Sequence, residues 1–191
     1  MIVNKTKLEI VKILHENQGI YISGQEISNR IGVSRTTISN HIQDLREKGY
    51  EIKSKTNQGY NMIRTPELIV PEEILWNLNT DYIGQNINFV RELSSTNKKA
   101  KALAEEGSPS GTVVITEKQN KGKGRRGRNW FSPPGTGLWF SIIVRPDFKP
   151  DKAPLLTIMA ALSVKEAFEK INIDVFLKWP NDILIKNKKV C

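Results

Sequence analysis

Hydrophobic residues recur at helical spacing over the first third of the chain, and the pattern then changes to alternation. Glycines follow each helical stretch, and Ser23 with Glu26 three residues later forms a capping-box pattern at the start of the second one. The predicted helices are Lys5–Gln18, Ser23–Ile31 and Ser34–Lys48, and the predicted strands are Tyr50–Lys55 and Tyr60–Ile63. Three short helices followed by a hairpin are typical of a winged helix-turn-helix.

A second set of elements follows two prolines, Pro66 and Pro71, that bracket a linker. The predicted helices are Thr96–Glu106 and Lys152–Lys170, and the predicted strands are Asn88–Leu93, Thr112–Glu117, Leu138–Val144, Val175–Leu177 and Ile183–Ile185. We expect the strand over Leu138–Val144 to be buried and residues 118–134 to form a long loop. The pattern therefore predicts an α+β protein with a winged helix-turn-helix over residues 1–64, a linker over 65–84 and a mixed α/β domain over 85–191.

The last residues predict an unfinished domain. Lys186–Lys188 has the composition of a hairpin turn, and Lys189–Cys191 begins the returning strand before the sequence stops. A strand that ends so early leaves an exposed sheet edge. We therefore expect the chain to be the N-terminal fragment of a longer protein, with its second domain truncated at the C-terminus.

Composition narrows the classes of partner. The 191 residues include 29 Lys and Arg against 20 Asp and Glu, a net charge of +9, which favours an anionic partner such as a nucleic acid or a nucleotide. One cysteine and two histidines exclude an intramolecular disulfide and a cysteine-rich zinc site, and we predict no metal-ligating residues. Without an apolar run of membrane-spanning length or a signal-peptide core, we expect no membrane association and a cytoplasmic location.

The third predicted helix carries short polar side chains on the face opposite its apolar residues. Such donors and acceptors suit base edges and phosphates in a major groove, and lysines on the following hairpin suit the flanking backbone. The candidate DNA-binding residues are Ser34, Arg35, Thr36, Thr37, Asn40, Gln43, Lys53 and Lys55. A solvated face on a protein-interaction module is the alternative, and we favour DNA because the capping, the glycine turn and the positive charge agree.

The most biased segment, residues 118–128, holds six basic residues and no acidic one. Its glycines, Gly122, Gly124 and Gly127, allow backbone amides to approach an anion closely. It matches neither a P-loop nor a dinucleotide fingerprint. The residues alone leave two interpretations open: a flexible loop that binds nucleic acid nonspecifically, or an anchored nucleotide lid, since Trp130 and Phe131 follow it directly and a predicted buried strand comes after Pro134.

Lys178 lies at a predicted strand end and is followed by the sequence Trp-Pro-Asn-Asp. A fixed positive charge there could hold a carboxylate or stabilise a developing phosphoryl charge. An ordinary surface lysine is the alternative.

Taken together, three segments resemble the biotin–protein ligases: Ser95–Asn97, the stretch GKGRRGRNWFSPPGTGLWFSI from Gly122 to Ile142, and KWPNDIL from Lys178 to Leu184. The N-terminal winged helix resembles the bifunctional class of that family, which also represses biotin genes. The resemblance implies a catalytic domain of the class II synthetase-like kind. It covers the chain from about Lys5 to Cys191.

The resemblance implies ATP-dependent ligation of biotin, through biotinyl-5′-AMP and with Mg²⁺ accompanying ATP, to a lysine of the biotin carboxyl carrier protein. It also implies operator DNA as a partner and a homodimer when the adenylate is bound. The implied catalytic residues are Lys178 and Arg125. The implied biotin-binding residues are Ser95, Thr96, Asn97, Gln119, Lys123, Gly124, Arg125 and Lys178, and the implied nucleotide-binding residues are Arg125, Arg126, Arg128 and Trp130.

The sequence departs from the family pattern in two ways. Lys123 stands where the family has the first arginine of its GRGRxGR motif, so the charge is kept while the fork of donors is lost. The rest of the family's central domain and its small C-terminal barrel would follow Cys191, so we expect this fragment to be inactive in biotinylation. A transcription regulator that senses a ligand without turnover and a nonspecific nucleic-acid-binding protein are the alternative functions.

Overall fold

Three helices and a hairpin occupy the N-terminal part of the chain in the predicted order. The computed structural model describes residues 4–124 and 127–191, which fall into two compact units, residues 1–144 and 145–191. The first elements are α1 (Lys5–Glu16), α2 (Gly24–Ile31), α3 (Arg35–Glu47), β1 (Glu51–Lys55) and β2 (Gly59–Arg64). Strands β1 and β2 pair antiparallel as a hairpin, which we call the wing. The predicted winged helix-turn-helix is confirmed.

Apolar residues spaced three or four apart place one face of each helix in a common core. The fully buried side chains of this core include Ile10, Leu14, Ile27, Ile38, Ile42, Leu45 and Met62. Hydroxyl caps fix where the helices start: Ser23 Oγ accepts from the Glu26 amide at 3.0 Å, and Ser34 Oγ accepts from the Thr37 amide at 3.0 Å. Gly32, with φ 79°, ends α2 in the left-handed conformation.

The wing is attached to the start of α2 through one backbone bridge. The Tyr60 amide donates to the Ile22 carbonyl at 2.8 Å, and the Ile22 amide donates to the Tyr60 carbonyl at 2.9 Å. Gly59 makes this approach possible, because its φ is 103° and a Cβ at this position would overlap the Ile22 carbonyl oxygen. The first residue of β2 is therefore restricted to glycine.

Residues 65–84, predicted as a linker, contain the short helix α4 (Pro71–Leu75), which lies against the winged helix. Glu72 is only 2% exposed and pairs with Lys48 Nζ at 2.5 Å. His15 Nε2 lies 3.1 Å from both carboxylate oxygens of Glu73, and the His15 ring stacks on Trp76 with centroids 4.0 Å apart. These contacts join α4 to α1 and α3.

The rest of the first unit consists of two small sheets and one helix. Its elements are β3 (Ile87–Phe89), β4 (Glu92–Leu93), α5 (Thr96–Glu105), β5 (Val113–Thr116), β6 (Lys118–Gln119) and β7 (Trp139–Ile142). One sheet has the order β3-β5-β7, with β3 parallel and β7 antiparallel to β5, and the other pairs β4 with β6 in parallel. The single predicted strand over Asn88–Leu93 is thus two strands in different sheets.

Helix α5 covers one face of the three-stranded sheet through Ala100, which packs with Val114 and Ile143. The prediction that Leu138–Val144 is a buried strand is wrong for the opposite face. Phe140 is 45% exposed and Ile142 is 37% exposed, because their side chains alternate away from α5.

The second unit, residues 145–191, begins with a 3-10 turn (Pro150–Lys152) and continues as α6 (Pro154–Lys170), β8 (Phe176–Lys178), β9 (Asp182–Ile185) and β10 (Lys188–Lys189). The strands form an antiparallel meander in the order β10-β9-β8. Lys186 and Asn187 connect β9 to β10 with φ 47° and 63°, the two positive values of a tight hairpin turn. The predicted turn at this position is confirmed.

Substituting Gly59 with alanine should destabilise the winged helix more than the same change at Gly19. Both glycines have positive φ, so both substitutions introduce backbone strain of about 1–2 kcal/mol. Only Gly59 is closely approached by other atoms, and this overlap should add about 1–3 kcal/mol. Urea unfolding of the two variants measures the difference, and equal losses of stability would contradict the steric argument.

Candidate functional site

A chain of hydrogen bonds joins four elements at the start of α5. Gln119 Oε1 accepts from the Thr96 amide at 2.8 Å and lies 3.1 Å from the Thr96 hydroxyl. Gln119 Nε2 donates to Ser132 Oγ at 3.1 Å. Ser141 Oγ lies 2.9 Å from both Thr96 Oγ1 and Asn97 Oδ1. We call the set Thr96, Asn97, Gln119, Ser132 and Ser141 the polar network.

The backbone explains why these side chains meet. Thr96 is the first residue of α5, and a helix leaves its first amides without intrahelical partners. The Gln119 side chain accepts from the first of these amides, that of Thr96, and Ser95, the N-cap residue, makes no side-chain capping bond. Of the predicted biotin residues, Thr96, Asn97 and Gln119 are thus brought together, with Ser95 adjacent in the chain. The residues that sequence reasoning missed are Ser132 and Ser141, because both lie within the stretch from Gly122 to Ile142 but nothing in that stretch predicts their contacts.

Residues 118–124 and 127–134, predicted as part of a loop, pair with each other as an irregular hairpin, which we call the glycine hairpin. The Gln119 amide donates to the Ser132 carbonyl at 3.1 Å, and the Trp130 amide donates to the Gly122 carbonyl at 2.9 Å. A Cβ on Gly122 would lie 2.6 Å from the Trp130 carbonyl oxygen and 2.9 Å from Ser132 Oγ. The absence of a side chain at Gly122 therefore lets the two arms approach each other.

Four further predicted ligand residues lie in the described part of this hairpin: Lys123, Gly124, Arg128 and Trp130. Lys123 Nζ donates to Asn129 Oδ1 at 2.7 Å, and the Gly124 amide donates to the Arg128 carbonyl at 2.8 Å. Arg128 is exposed, whereas Trp130 is half-buried. Arg125 and Arg126, also predicted in this segment, lie outside the described residues.

Glu92 on β4 makes side-chain contacts with the residues on either side of Gln119. Its Oε1 accepts from Asn120 Nδ2 at 2.6 Å and lies 3.3 Å from Lys118 Nζ. The hydrogen bond from Asn120, with a further contribution from Lys118, lowers the pKa of the Glu92 carboxyl. Because its pKa is lowered, the ionised Glu92 carboxylate stabilises the folded state. This stabilisation is present above the ordinary carboxyl pKa and is lost as the pH falls through the lowered value.

Lys178 belongs to the second unit, where it is the last residue of β8 and pairs in register with Asp182. Its side chain is exposed and has no hydrogen-bond partner among residues 4–124 and 127–191. The turn that follows includes a cis peptide bond between Trp179 and Pro180. Asp182 Oδ1 accepts from Lys189 Nζ at 2.6 Å, which ties this turn to β10.

A second candidate surface is the open groove between α3 and the wing. The groove is lined on the α3 side by Arg35, Thr36, Ser39 and Asn40, and on the wing side by Ser54, Lys55, Thr56 and Asn57. Gln43 and Lys53 are also exposed. Ser34 and Thr37 differ from the other predicted residues, because their hydroxyls lie 2.8 Å apart and take part in the cap of α3. Ser39 lies within the groove and was missed by the sequence prediction.

Arg46 holds the wing against α3. Its guanidinium donates to the Ile52 carbonyl at 2.9 and 2.7 Å, and to Ser54 Oγ at 2.6 Å. A planar, five-donor group suits two acceptors on one strand. In the sequence, Arg46 was indistinguishable from any cation in the last turn of a helix.

Neither a metal cluster nor a membrane-spanning helix is found in the part of the chain that the structure describes. Within residues 4–124 and 127–191, no three His, Cys, Asp or Glu residues are grouped so that they could hold a metal ion. No helix in the same ranges has the length and apolar character needed to cross a bilayer.

Comparison with known proteins assigns both parts of the chain. Residues 89–191 match the biotin/lipoate A/B protein ligase family. The chain belongs to this family. Residues 6–61 match a helix-turn-helix domain. This ligase-family chain therefore combines a helix-turn-helix domain with the ligase domain that its motifs predict.

Among its relatives, the bifunctional ligase/repressor BirA of Bacillus subtilis (strain 168) is 41% identical over 95% of this chain and 56% of its own length. The protein of the same name from Escherichia coli (strain K12) is 31% identical over 98% of this chain and 56% of its own length. The chain thus spans about half the length of these relatives. A solved biotin protein ligase from Aquifex aeolicus, in complex with biotin and ATP, is 38% identical, with a TM-score of 0.48 over 56% of this chain and 44% of that chain.

Replacing Arg46 with methionine should loosen the wing while leaving α3 folded. The substitution keeps most of the apolar stem but removes the charged donors to Ile52 and Ser54. Hydrogen bonds from a charged group contribute about 1.5–3 kcal/mol, so amide exchange in β1 should accelerate about tenfold or more. Arg30→Met, which removes an exposed ion pair on α2, is the control. Unchanged exchange in β1 would show that Arg46 does not hold the wing.

Proposed function

We propose that this protein activates biotin with ATP, transfers it to a lysine of a biotin carboxyl carrier protein, and represses biotin genes through its winged helix. The observation that carries the proposal is the presence, in one chain, of a ligase-family domain over residues 89–191 and a helix-turn-helix domain over residues 6–61. Relatives that match 95–98% of this chain are named bifunctional ligase/repressors. ATP and operator DNA are both cytoplasmic, so we place the protein in the cytoplasm.

The first chemical step joins two anions. A carboxylate oxygen of biotin attacks the α-phosphorus of ATP, an O–P bond forms, and the bond to the departing pyrophosphate breaks. Positive charge must offset the repulsion between the reactants and the charge that develops between them. Lys178 and Arg125 are the proposed catalytic residues, and Arg126 and Arg128 are the proposed partners of the nucleotide phosphates.

Mg²⁺ would enter with the ATP phosphates, because no acidic cluster suited to it occurs in residues 4–124 or 127–191. When bound, it would neutralise phosphate charge and orient the leaving pyrophosphate.

The polar network is the proposed biotin end of the site. Ser95 makes no side-chain capping bond, and Gln119 Nε2 uses one of its two hydrogens on Ser132, so a hydroxyl and an amide hydrogen remain for the ligand. Thr96 and Asn97 are bonded to the same network through Ser141. A ring with several polar atoms, such as the ureido ring of biotin, needs donors and acceptors set at fixed angles.

The glycine hairpin is the proposed cover for the adenylate. Gly124 lies near its tip, where the lack of a side chain lets a ligand approach the backbone closely, and Trp130 offers an aromatic face on which adenine could stack. Lys123 donates to Asn129 in this structure, so it must exchange that partner for the ligand. Covering a hydrolysable mixed anhydride protects it from water until the carrier lysine arrives.

The groove between α3 and the wing is the proposed DNA site. Arg35, Thr36, Asn40 and Gln43 would face base edges, and Lys53 and Lys55 would meet flanking phosphates. Ser34 and Thr37 would act by fixing the start of α3, because their hydroxyls already serve its cap. A homodimer formed by the adenylate-bound protein would double these contacts on a two-fold operator.

Biotin-dependent exchange of pyrophosphate into ATP tests the enzymatic half of the proposal. We expect the protein expressed from its complete gene to catalyse exchange only when biotin and Mg²⁺ are both present. Ligand binding without exchange would instead support a regulator that senses biotin without turnover.

Lys178→Gln should slow adenylation and weaken biotin binding, while binding of preformed biotinyl-5′-AMP falls less. The substitution keeps length and hydrogen bonding but removes a charge that favours the transition state over the ground state. Lys188→Gln, an exposed lysine on β10 in the same unit, is the matched control. Single-turnover adenylation measures the effect, and a wild-type rate in the Lys178 variant would refute its catalytic role.

Asn40→Ala should reduce the preference for operator over random DNA, whereas Lys53→Ala should weaken binding to both about equally. A good bidentate base contact contributes about 1–3 kcal/mol of discrimination, and a phosphate contact contributes none. Titration of both DNAs at several salt concentrations separates the two effects. An unchanged ratio in the Asn40 variant would place another residue of α3 at the bases.

A further inference from the structure

Ser132 is buried beside Gln119 and was not among the predicted site residues. It is 3% exposed, and its hydroxyl lies within hydrogen-bond distance of two different groups. Ser132 Oγ accepts from Gln119 Nε2 at 3.1 Å and donates to the Trp130 carbonyl at 3.1 Å. A buried hydroxyl with both a donor and an acceptor assigned has only one favourable orientation.

The direction of every bond in this part of the polar network is determined. The Thr96 amide can only donate, so Gln119 must present its oxygen to Thr96 and its nitrogen to Ser132. The Trp130 carbonyl can only accept, so Ser132 must donate to it and turn a lone pair towards Gln119. A flipped Gln119 amide would set its NH₂ group against the Thr96 amide, with donor facing donor.

The same geometry fixes the direction of the second hydrogen on Gln119 Nε2. The two hydrogens of an amide NH₂ lie in one plane at fixed angles, so occupying one of them with Ser132 fixes the direction of the other. We propose that Ser132 is a positioning residue for biotin, which acts by orienting the free Nε2 hydrogen of Gln119 towards the ligand. This inference rests on the proposed function, and it deepens that function by naming the residue that prepares the donor.

The loop takes part in this positioning. Ser132 donates to the carbonyl of Trp130, whose amide in turn donates to Gly122 across the base of the glycine hairpin. Gln119 and Ser132 are also joined by a backbone bond of 3.1 Å between the Gln119 amide and the Ser132 carbonyl. The hairpin therefore fixes the orientation of the Ser132 hydroxyl. The hydroxyl in turn fixes the orientation of the Gln119 side chain beside α5.

The test is a set of variants at Ser132 measured by biotin-dependent ATP–pyrophosphate exchange in the protein expressed from its complete gene. Ser132→Ala removes the acceptor, and we expect the apparent KM for biotin to rise roughly three- to tenfold, as for the loss of one buried hydrogen bond, while the KM for ATP stays within about twofold. Ser132→Cys keeps a weak acceptor of similar size and should give a smaller rise. Thr136→Val, which removes an exposed hydroxyl that donates to the Pro133 carbonyl, should change neither constant.

A double substitution separates positioning from general loosening of the site. If Ser132 acts through Gln119, then Ser132→Ala should add no further rise in the biotin KM to a protein that already carries Gln119→Ala. Full additivity, an equal rise in both KM values, or no change in either would overturn the proposal.

The outcomes also distinguish this inference from the function on which it rests. Absence of exchange in the unsubstituted protein would refute the proposed function itself. Normal exchange in that protein, together with unchanged constants in the Ser132 variants, would refute the positioning role alone. If Ser132→Ala does not fold, the Cys variant and its combination with Gln119→Ala decide the question by the same measurements.

Discussion

The contact between the Thr96 amide and the Gln119 side chain is the constraint around which the candidate ligand site is built. It satisfies the amide of the first residue of α5, one of the donors that every helix leaves without an intrahelical partner. It also fixes the amide orientation of Gln119, which sets the partners of Ser132 and, through Ser132, the base of the glycine hairpin. A single backbone donor thus determines the geometry of α5, β6 and the hairpin together.

Buried carboxylates provide a second set of constraints, on the segment between the two predicted domains. Glu72 is paired with Lys48, and Glu117, which is also buried, accepts a hydrogen bond from the Ile69 amide. A buried carboxylate is costly unless it is bonded, and loss of its partner leaves that cost uncompensated. The segment that carries Ile69 and Glu72 is therefore attached both to the residue between β5 and β6 and to the winged helix.

The features that were predictable from the sequence depend on local chemistry. Ser23 and Ser34 cap helices where their spacing indicates, Gly32 ends α2, and Lys186 with Asn187 forms the predicted turn. Each of these depends on the residue itself and on neighbours within a few positions, so a single sequence contains the information.

Contacts between distant residues were not predictable in the same way. Ser132 joins the polar network only because it pairs with Gln119 of β6, and Ser141 joins it only because β7 lies beside α5. Arg46 meets the wing only because β1 returns beside α3. The error at Phe140 has a related cause, since an apolar run indicates a strand but does not tell whether one face or both are covered. These contacts depend on which strands and helices lie side by side in the fold, and local sequence propensity does not contain that information.

Position 123 holds a lysine where the family motif has an arginine, and the structure of the hairpin indicates what this difference does. Lys123 Nζ donates to Asn129 across the hairpin, so its charge serves to close the loop on itself. A hydrogen bond to a charged group contributes about 1.5–3 kcal/mol, and a ligand that recruits Lys123 must offset that loss. An ammonium can exchange one acceptor for another by rotating a flexible stem, whereas a guanidinium fork is more specific in its geometry. Lysine at this position therefore favours a loop that changes partners over one that holds its ligand in two parallel bonds.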